Sequence, residues 1–203
     1  GMRTRHSKHI QINYRQPLLV LMALMFMAIS AFSSHAVTVS SQNDDMLQQL
    51  FAELQNADEP ERANDIALKI WNRWMSGSGD AATDEQMERG VYFMQTGNLP
   101  LAENIFSNII ESHPDYAEAW NKRATVRFLR NNWTGSANDI AEVLAIEPKH
   151  FGALSGLAMI RLHQGEYSTA LSIYEKVLEI HPFSPDAIAY IPTLQDMLKG
   201  MAL

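Results

Sequence analysis

The apolar residues of this chain recur at the spacing of amphipathic helices, and from residue 83 onward the pattern itself repeats every 34 residues. The copies are 83–116, 117–150 and 151–184, and each carries a proline near its end, at Pro114, Pro148 and Pro182. A period of this length is typical of stacked units that each hold a helix, a turn and a second helix. The pattern therefore predicts an all-α fold built from an array of helix pairs.

Residues at equivalent places in the three copies have similar sizes. Small residues hold the eighth and twentieth places: Gly90, Ala124 and Ala158, then Ala102, Ser136 and Ala170. Large apolar or aromatic residues hold the twenty-fourth place: Phe106, Ile140 and Tyr174. Turn signals divide each copy in two: Thr96-Gly97, Asn131-Asn132 and Gln164-Gly165. We expect the two helices of each unit to cross closely at the small residues.

Several motifs resemble those of the tetratricopeptide repeat family. Ala117-Glu118-Ala119-Trp120 matches the opening of that repeat, and Leu157-Ala158, Gly165-Glu166-Tyr167 and Ala170 match its central signature. Arg89 and Arg123 depart from the usual Leu at the seventh place, and Ser136 replaces Ala. The resemblance covers residues 83–184. It implies a right-handed superhelix of helix pairs, a fold that usually holds another protein.

The resemblance also implies where a partner would bind. In this family the first helix of each unit lines a concave groove, through its fifth, ninth and twelfth residues. Those positions are Met87, Val91, Met94, Asn121, Thr125, Phe128, Ser155, Met159 and Leu162. We expect them to hold an amphipathic helix or an extended apolar peptide, because methionine suits adaptable apolar recognition. The alternative is that several of them only pack between neighbouring first helices.

A carboxylate clamp for acidic chaperone tails is not favoured. That clamp has Lys, Asn and Arg at the fifth and ninth places, and here only Asn121 is of that type. A separate basic cluster contains Lys122, Arg123, Arg127 and Arg130. It predicts either a contact with an acidic partner or local ion pairing, in which Arg123 would reach Asp139 across its own helix pair.

The segments that flank the repeats also have helical patterns. Residues 44–82 predict a degenerate helix pair followed by a loop. The length of this unit does not match the 34-residue period. Such a difference is expected of a terminal unit that caps a stack. Residues 185–203 predict a closing helix that covers the last apolar face, with Pro192 inside it as a kink or break.

The first 36 residues predict a signal peptide. Four basic residues precede the apolar run 18–29, and the first 36 residues contain no acidic residue. The small residues of Ser34-His35-Ala36 follow the run, at the place expected for a cleavage site. Residues 37–43 predict a flexible linker. We therefore expect a periplasmic or secreted protein; the alternative is an uncleaved leader that anchors the chain in the inner membrane, facing the periplasm.

Composition narrows the classes of function. The formal charge is −7, and loss of residues 1–36 would remove four of 16 basic residues and none of 23 acidic ones, leaving −11. This charge argues against nucleic-acid binding. The chain has no cysteine, and its motifs predict no metal, no cofactor and no catalytic constellation. The four histidines after the leader, His113, His150, His163 and His181, are expected in surface loops.

Taken together, the sequence predicts an exported, non-enzymatic adaptor or scaffold that binds another protein or a peptide. The alternative is a structural subunit that self-associates through repeat stacking, as a homo-oligomer or within an envelope complex.

Overall fold

The computed structural model describes residues 45–202, so the predicted signal peptide and linker lie outside the described residues. Within that range the chain forms nine α-helices and no strand, which confirms the all-α prediction. The helices are α1 (Asp45–Gln55), α2 (Pro60–Met75), α3 (Ala81–Gln95), α4 (Leu99–Ser112), α5 (Ala117–Leu129), α6 (Trp133–Ile146), α7 (Phe151–His163), α8 (Tyr167–Ile180) and α9 (Pro185–Met201).

Three helix pairs correspond to the three copies of the repeat: α3 with α4, α5 with α6, and α7 with α8. Each pair crosses at the small residues. A β-carbon on Gly90 would lie 2.5 Å from Cε1 of Phe106, so only glycine fits there. In the second pair, the Ser136 hydroxyl donates to the carbonyl of Ala124 at 2.7 Å. These contacts explain why the eighth and twentieth places of the repeat are small.

The turn inside each repeat has the same backbone conformation. Gly97, Asn131 and Gly165 have φ of 86°, 61° and 77°, the left-handed region that glycine and asparagine tolerate best. Asn98 and Asn132 then begin the next helices, and the Asn132 carboxamide oxygen accepts from the Gly135 amide at 2.9 Å. The turn signals identified in the sequence therefore lie where the repeat requires them.

The α1–α2 hairpin packs mainly on the second and third repeats, although Met75 at the end of α2 also joins the core of the first repeat. Its principal contacts outside itself join α2 to α5 and α1 to α8. The Gln55 carboxamide donates to the Glu179 carbonyl at 3.2 Å, and Lys149 Nζ lies 5.4 Å from the centroid of the Phe51 ring. The pair is therefore not confined to the end of the stack, as a simple terminal cap would be. The apolar face of the hairpin packs on the second and third repeats, where Phe51, Trp71 and Trp74 join the same buried core as Phe151 and Tyr174.

The closing helix α9 packs against α8, as expected. Ala187 and Leu194 are fully buried, and the Tyr190 ring stacks on Tyr174 with centroids 5.4 Å apart. The helix runs through Pro192 without a break, so Pro192 does not split it. No helix in residues 45–202 combines the length and the apolar character needed to cross a bilayer.

Candidate functional site

Trp71 of α2 is the residue that joins the hairpin to the repeats. Its indole lies on the backbone of α7 at Gly152, where a β-carbon would lie 2.7 Å from Cζ2. The Trp71 ring is also nearly perpendicular to the rings of Phe151 and His150, with centroids 5.6 and 5.5 Å apart. An indole can approach a helix backbone this closely only where the side chain is absent.

A buried polar cluster lies beneath Trp74, one helical turn further along α2. The Trp74 ring stacks on His150 with centroids 3.9 Å apart. His150 Nδ1 accepts from the Ala153 amide at 3.1 Å, so Nε2 carries the proton and donates to Glu118 Oε2 at 3.0 Å. Glu118 also pairs with Lys122 at 3.0 Å. His150 is fully buried, so its expected surface position is wrong; its imidazole caps α7 and supports the hairpin.

The charges in this cluster are balanced. Burial alone would raise the pKa of the Glu118 carboxyl, but Lys122 and His150 outweigh that effect and lower the pKa to about 2. Lys122 Nζ also lies 5.5 Å from the centroid of the Trp71 ring. The cluster links α2, α5 and α7, and the charge of Lys122 is paired with Glu118.

A first cavity opens on one side of Trp71, between α5 and α7. It has a volume of about 50 Å³. Four of the residues predicted to line the concave groove border it: Asn121, Thr125, Phe128 and Met159. Thr125 and Phe128 are half-buried there. The structure thus brings these four side chains together around one cleft.

A second cavity lies on the other side of Trp71, between α2, α7 and the start of α9. Its volume is about 190 Å³, and its lining includes Phe151, Ser155, His181 and Asp186. Burial lowers the pKa of the His181 imidazole to about 4 and raises the pKa of the Asp186 carboxyl to about 6. His181 is therefore a buried neutral side chain, and its expected surface position is also wrong.

The remaining predicted groove residues are buried in the hydrophobic core. Met87, Val91 and Met94 pack with Tyr116, Ile110 and their neighbours at the first repeat, and Leu162 packs in the core beside the hairpin. Seven of the nine positions are buried in the described chain; only Thr125 and Phe128 retain substantial exposure. Met87, Val91 and Met94 therefore pack between helices. This is the alternative that the sequence analysis raised for some of the predicted groove residues.

The basic cluster of α5 forms local ion pairs. Arg123 donates to both carboxylate oxygens of Asp139, at 2.9 and 2.8 Å, which confirms the predicted pairing across the helix pair. Arg127 bonds to Asp139 and to Glu103, each at 2.9 Å, and Arg130 also pairs with Glu103. The guanidinium groups are thus engaged within the fold, as the local ion-pairing interpretation predicts.

Sequence reasoning missed Trp71, Gly152 and Asp186, the three residues that border both cavities. The helical pattern of residues 44–82 predicted a helix pair but not the surface against which Trp71 and Trp74 pack. The available signal was Gly152, a glycine inside a predicted helix, which is typical of a close approach by another group. Asp186, two residues after the predicted end of the last repeat, carried no motif.

Stacked helix pairs with a cleft between successive first helices define a helical-repeat protein. A model of the tetratricopeptide repeat matches residues 87–147 and 130–185. A TPR repeat-containing protein of Rhizobium etli is 37% identical over 161 residues, which span 79% of this chain and 78% of that protein. The chain therefore belongs to the tetratricopeptide-repeat family.

More distant relatives share part of the fold. Tetratricopeptide repeat protein 21B of Xenopus laevis is 30% identical over 118 residues, 58% of this chain and only 9% of that protein. The first TPR domain of Spaghetti (RPAP3), bound to an HSP90 peptide, is 19% identical with a TM-score of 0.55 and covers 58% of this chain and 93% of its own. The second TPR domain of human RPAP3, in complex with an HSP70 peptide, is 17% identical with a TM-score of 0.51, over 54% and 92%.

These likenesses confirm an all-α superhelical fold of TPR repeats. The fold generally serves as a protein-interaction scaffold and not as an enzyme. Between residues 45 and 202, no group of three or more histidines and carboxylates is arranged to hold a metal ion.

Proposed function

We propose that this protein is an exported adaptor that holds a peptide or a helical segment of another protein beside Trp71. The observation that carries the proposal is the first cavity, in which α5 and α7 present Asn121, Thr125, Phe128 and Met159 to one cleft. Apolar clefts with a few polar groups are the usual form of a binding site. Peptide binding is also the property named for the two RPAP3 domains that share the fold.

The partner should differ in charge from the peptides that those domains hold. Their peptides end in Glu-Glu-Val-Asp. The first cavity of this chain has no Lys or Arg in its lining, and Lys122 nearby is paired with Glu118. An acidic tail entering this cleft would lose hydration without gaining a counter-charge. We therefore expect an apolar segment, neutral or basic, consistent with the negative charge of the chain.

Export is the part of the proposal that depends on the first 36 residues. Their basic head, apolar run and small residues before the expected cleavage point are the features that support it. The partner would accordingly be sought among proteins of the periplasm or of the cell surface.

A cross-linked pull-down from an envelope extract tests the binding site. The bait is compared with Thr125→Arg, which places a bulky charge in the first cavity at a half-buried position. The matched control is Thr134→Arg, at an exposed threonine in the first turn of α6. Circular dichroism and melting temperature verify that both variants fold.

The proposal predicts a protein captured by the original bait and by Thr134→Arg but lost from Thr125→Arg. Equal capture by all three would move the binding surface away from the first cavity and contradict the proposal. Recovery of the bait alone would contradict it in favour of the self-associating structural subunit.

A further inference from the structure

The second cavity contains a carboxylate without a partner. Asp186 is the second residue of α9, the residue is 3% exposed, and Oδ1 makes no hydrogen bond. Within residues 45–202, no lysine or arginine forms an ion pair with it. A buried carboxylate is costly unless it is paired, so a cationic ligand that pairs with Asp186 would offset that cost.

The other walls of the second cavity suit a cation on an apolar stem. Trp71 and Phe151 provide aromatic surface, and Ser155 and Ser184 also line the space. His181 Nδ1 is likewise buried and unpartnered, and the low pKa of its imidazole leaves it uncharged near neutral pH. The histidine therefore does not supply the counter-charge that Asp186 lacks.

The geometry favours an ammonium group over a guanidinium group. Oδ1 of Asp186 is enclosed by the protein, so at most the other carboxylate oxygen faces the cavity. A guanidinium is recognised best by two parallel hydrogen bonds to a carboxylate, whereas an ammonium is a compact charge that needs only one such oxygen. Methylene groups can lie along aromatic side chains while the charge is bound at the end.

The two cavities are neighbours. Both are bordered by Trp71, Gly152 and Asp186. A segment that occupies the first cavity could therefore extend one long side chain past Trp71 toward Asp186. This continuity links the unpaired carboxylate to the proposed peptide site.

We propose that the second cavity binds a primary ammonium group on an alkyl stem, the chemistry of a lysine side chain presented by the partner peptide. The inference rests on the proposed function for the source of the ammonium, and it deepens that function by giving the partner a required basic residue. The carboxylate of Asp186 accepts a hydrogen bond from the ammonium, and Trp71 and Phe151 cover the stem.

Isothermal titration of the full-length protein tests the site with three probes: n-butylammonium, acetyl-Leu-Lys-Leu-amide, and the same tripeptide with norleucine in place of lysine. Each is titrated into the unchanged protein, Asp186→Asn and Asp196→Asn. Asp196 lies on the same helix and is exposed, so it is the matched control. Asn keeps the shape of Asp186 and removes only the charge.

The inference predicts saturable binding of the lysine tripeptide, weakened at least tenfold by norleucine and at least tenfold by Asp186→Asn, with Asp196→Asn unchanged. Equal affinity for lysine and norleucine in the unchanged protein, or no saturable binding of any cationic probe, would overturn it. The lysine-to-norleucine comparison needs no variant, so a folding defect cannot obscure the result.

The probes also separate the possible sources of the ammonium. Tighter binding of the lysine tripeptide than of n-butylammonium supports a peptide partner. Equal binding of the two supports the cavity as an ammonium site for a free alkylamine and removes the link to the proposed function. Loss of partner capture in Thr125→Arg without any lysine preference would leave the proposed function intact while overturning this inference.

Discussion

The indole of Trp71 lies directly on the backbone of Gly152, closer than any residue with a β-carbon would permit. Together with the stacking of Trp74 on His150, this contact holds α2 against the second and third repeats, and Trp71 borders both cavities. The shape of the candidate site thus depends on a glycine in one helix and a tryptophan in a distant one.

Gly152→Ala should displace Trp71 from α7. The added β-carbon would overlap the indole, so the hairpin must shift, and we expect a loss of about 1–3 kcal/mol in the free energy of unfolding. Urea unfolding measures the loss, and a red shift of the tryptophan emission reports the exposure of Trp71.

Gly156→Ala is the control for that substitution, one turn further along α7. A β-carbon there would contact Ile140 Cδ1 at 3.4 Å, an ordinary distance. Because alanine favours a helix over glycine, this variant should be as stable as the original protein or more stable. Equal destabilisation by both substitutions would contradict the Trp71 contact.

Ala170→Leu should destabilise the third repeat by about 1–3 kcal/mol, because Ala170 is fully buried where α7 and α8 cross. The matched control is Ala141→Leu, at an exposed position of α6. Thermal melting of the two variants measures the difference. An unchanged melting temperature for Ala170→Leu would show that the assigned register of the repeats is incorrect.

Asp186→Asn should stabilise the protein at neutral pH. The pKa of the Asp186 carboxyl rises from 3.8 to about 6 on folding, so the folded protein binds the proton more tightly between these values. Asp186 therefore lowers stability as pH rises from about 4 to 6, and its penalty is fully present above pH 6. The variant should melt higher than the original protein at pH 7 and no higher at pH 3.5.

Melting curves at both pH values check this prediction, with Asp196→Asn as the control. His181 titrates in the opposite sense, since its lowered pKa makes the fold lose stability as pH falls from 6.5 toward 4. For that reason the informative quantity is the difference between Asp186→Asn and the original protein at each pH. A difference that does not change with pH would contradict the assigned burial of Asp186.

Deletion of residues 185–203 should cause aggregation. The helix α9 covers the apolar face of α8, where Tyr174 and Val177 are fully buried. Exposure of that face creates an apolar patch of the kind that drives association. Light scattering and solution mass of the truncated protein provide the measurement; a soluble monomer would show that the third repeat needs no cover.

The repeats could be predicted from the sequence because their contacts are local and periodic. Gly90 and Phe106 lie within one helix pair, and Arg123 reaches Asp139 across another, so the register of the repeat is enough to bring these residues together. The turn at Asn131 was identified for the same reason, since its left-handed backbone recurs in each repeat.

The hairpin and the cavities could not be predicted, because they depend on contacts outside the period. The apolar face of α2 indicates that Trp71 is buried, but several apolar surfaces of a repeat array could receive it. The burial of His150 follows from Trp74 and Glu118, which are far from it in sequence. Asp186 is a candidate because it lines the same cavity as Trp71, and the period of the repeat does not specify that proximity.

Photo-cross-linking from the first cavity tests the central claim most directly. A photoreactive phenylalanine analogue replaces Thr125 in the full-length protein in living cells, and the same analogue at Thr134 is the control. Binding in the groove predicts a discrete cross-link to another protein from position 125 that is absent from position 134. Cross-links to a second copy of this chain alone, or the same products from both positions, would contradict it.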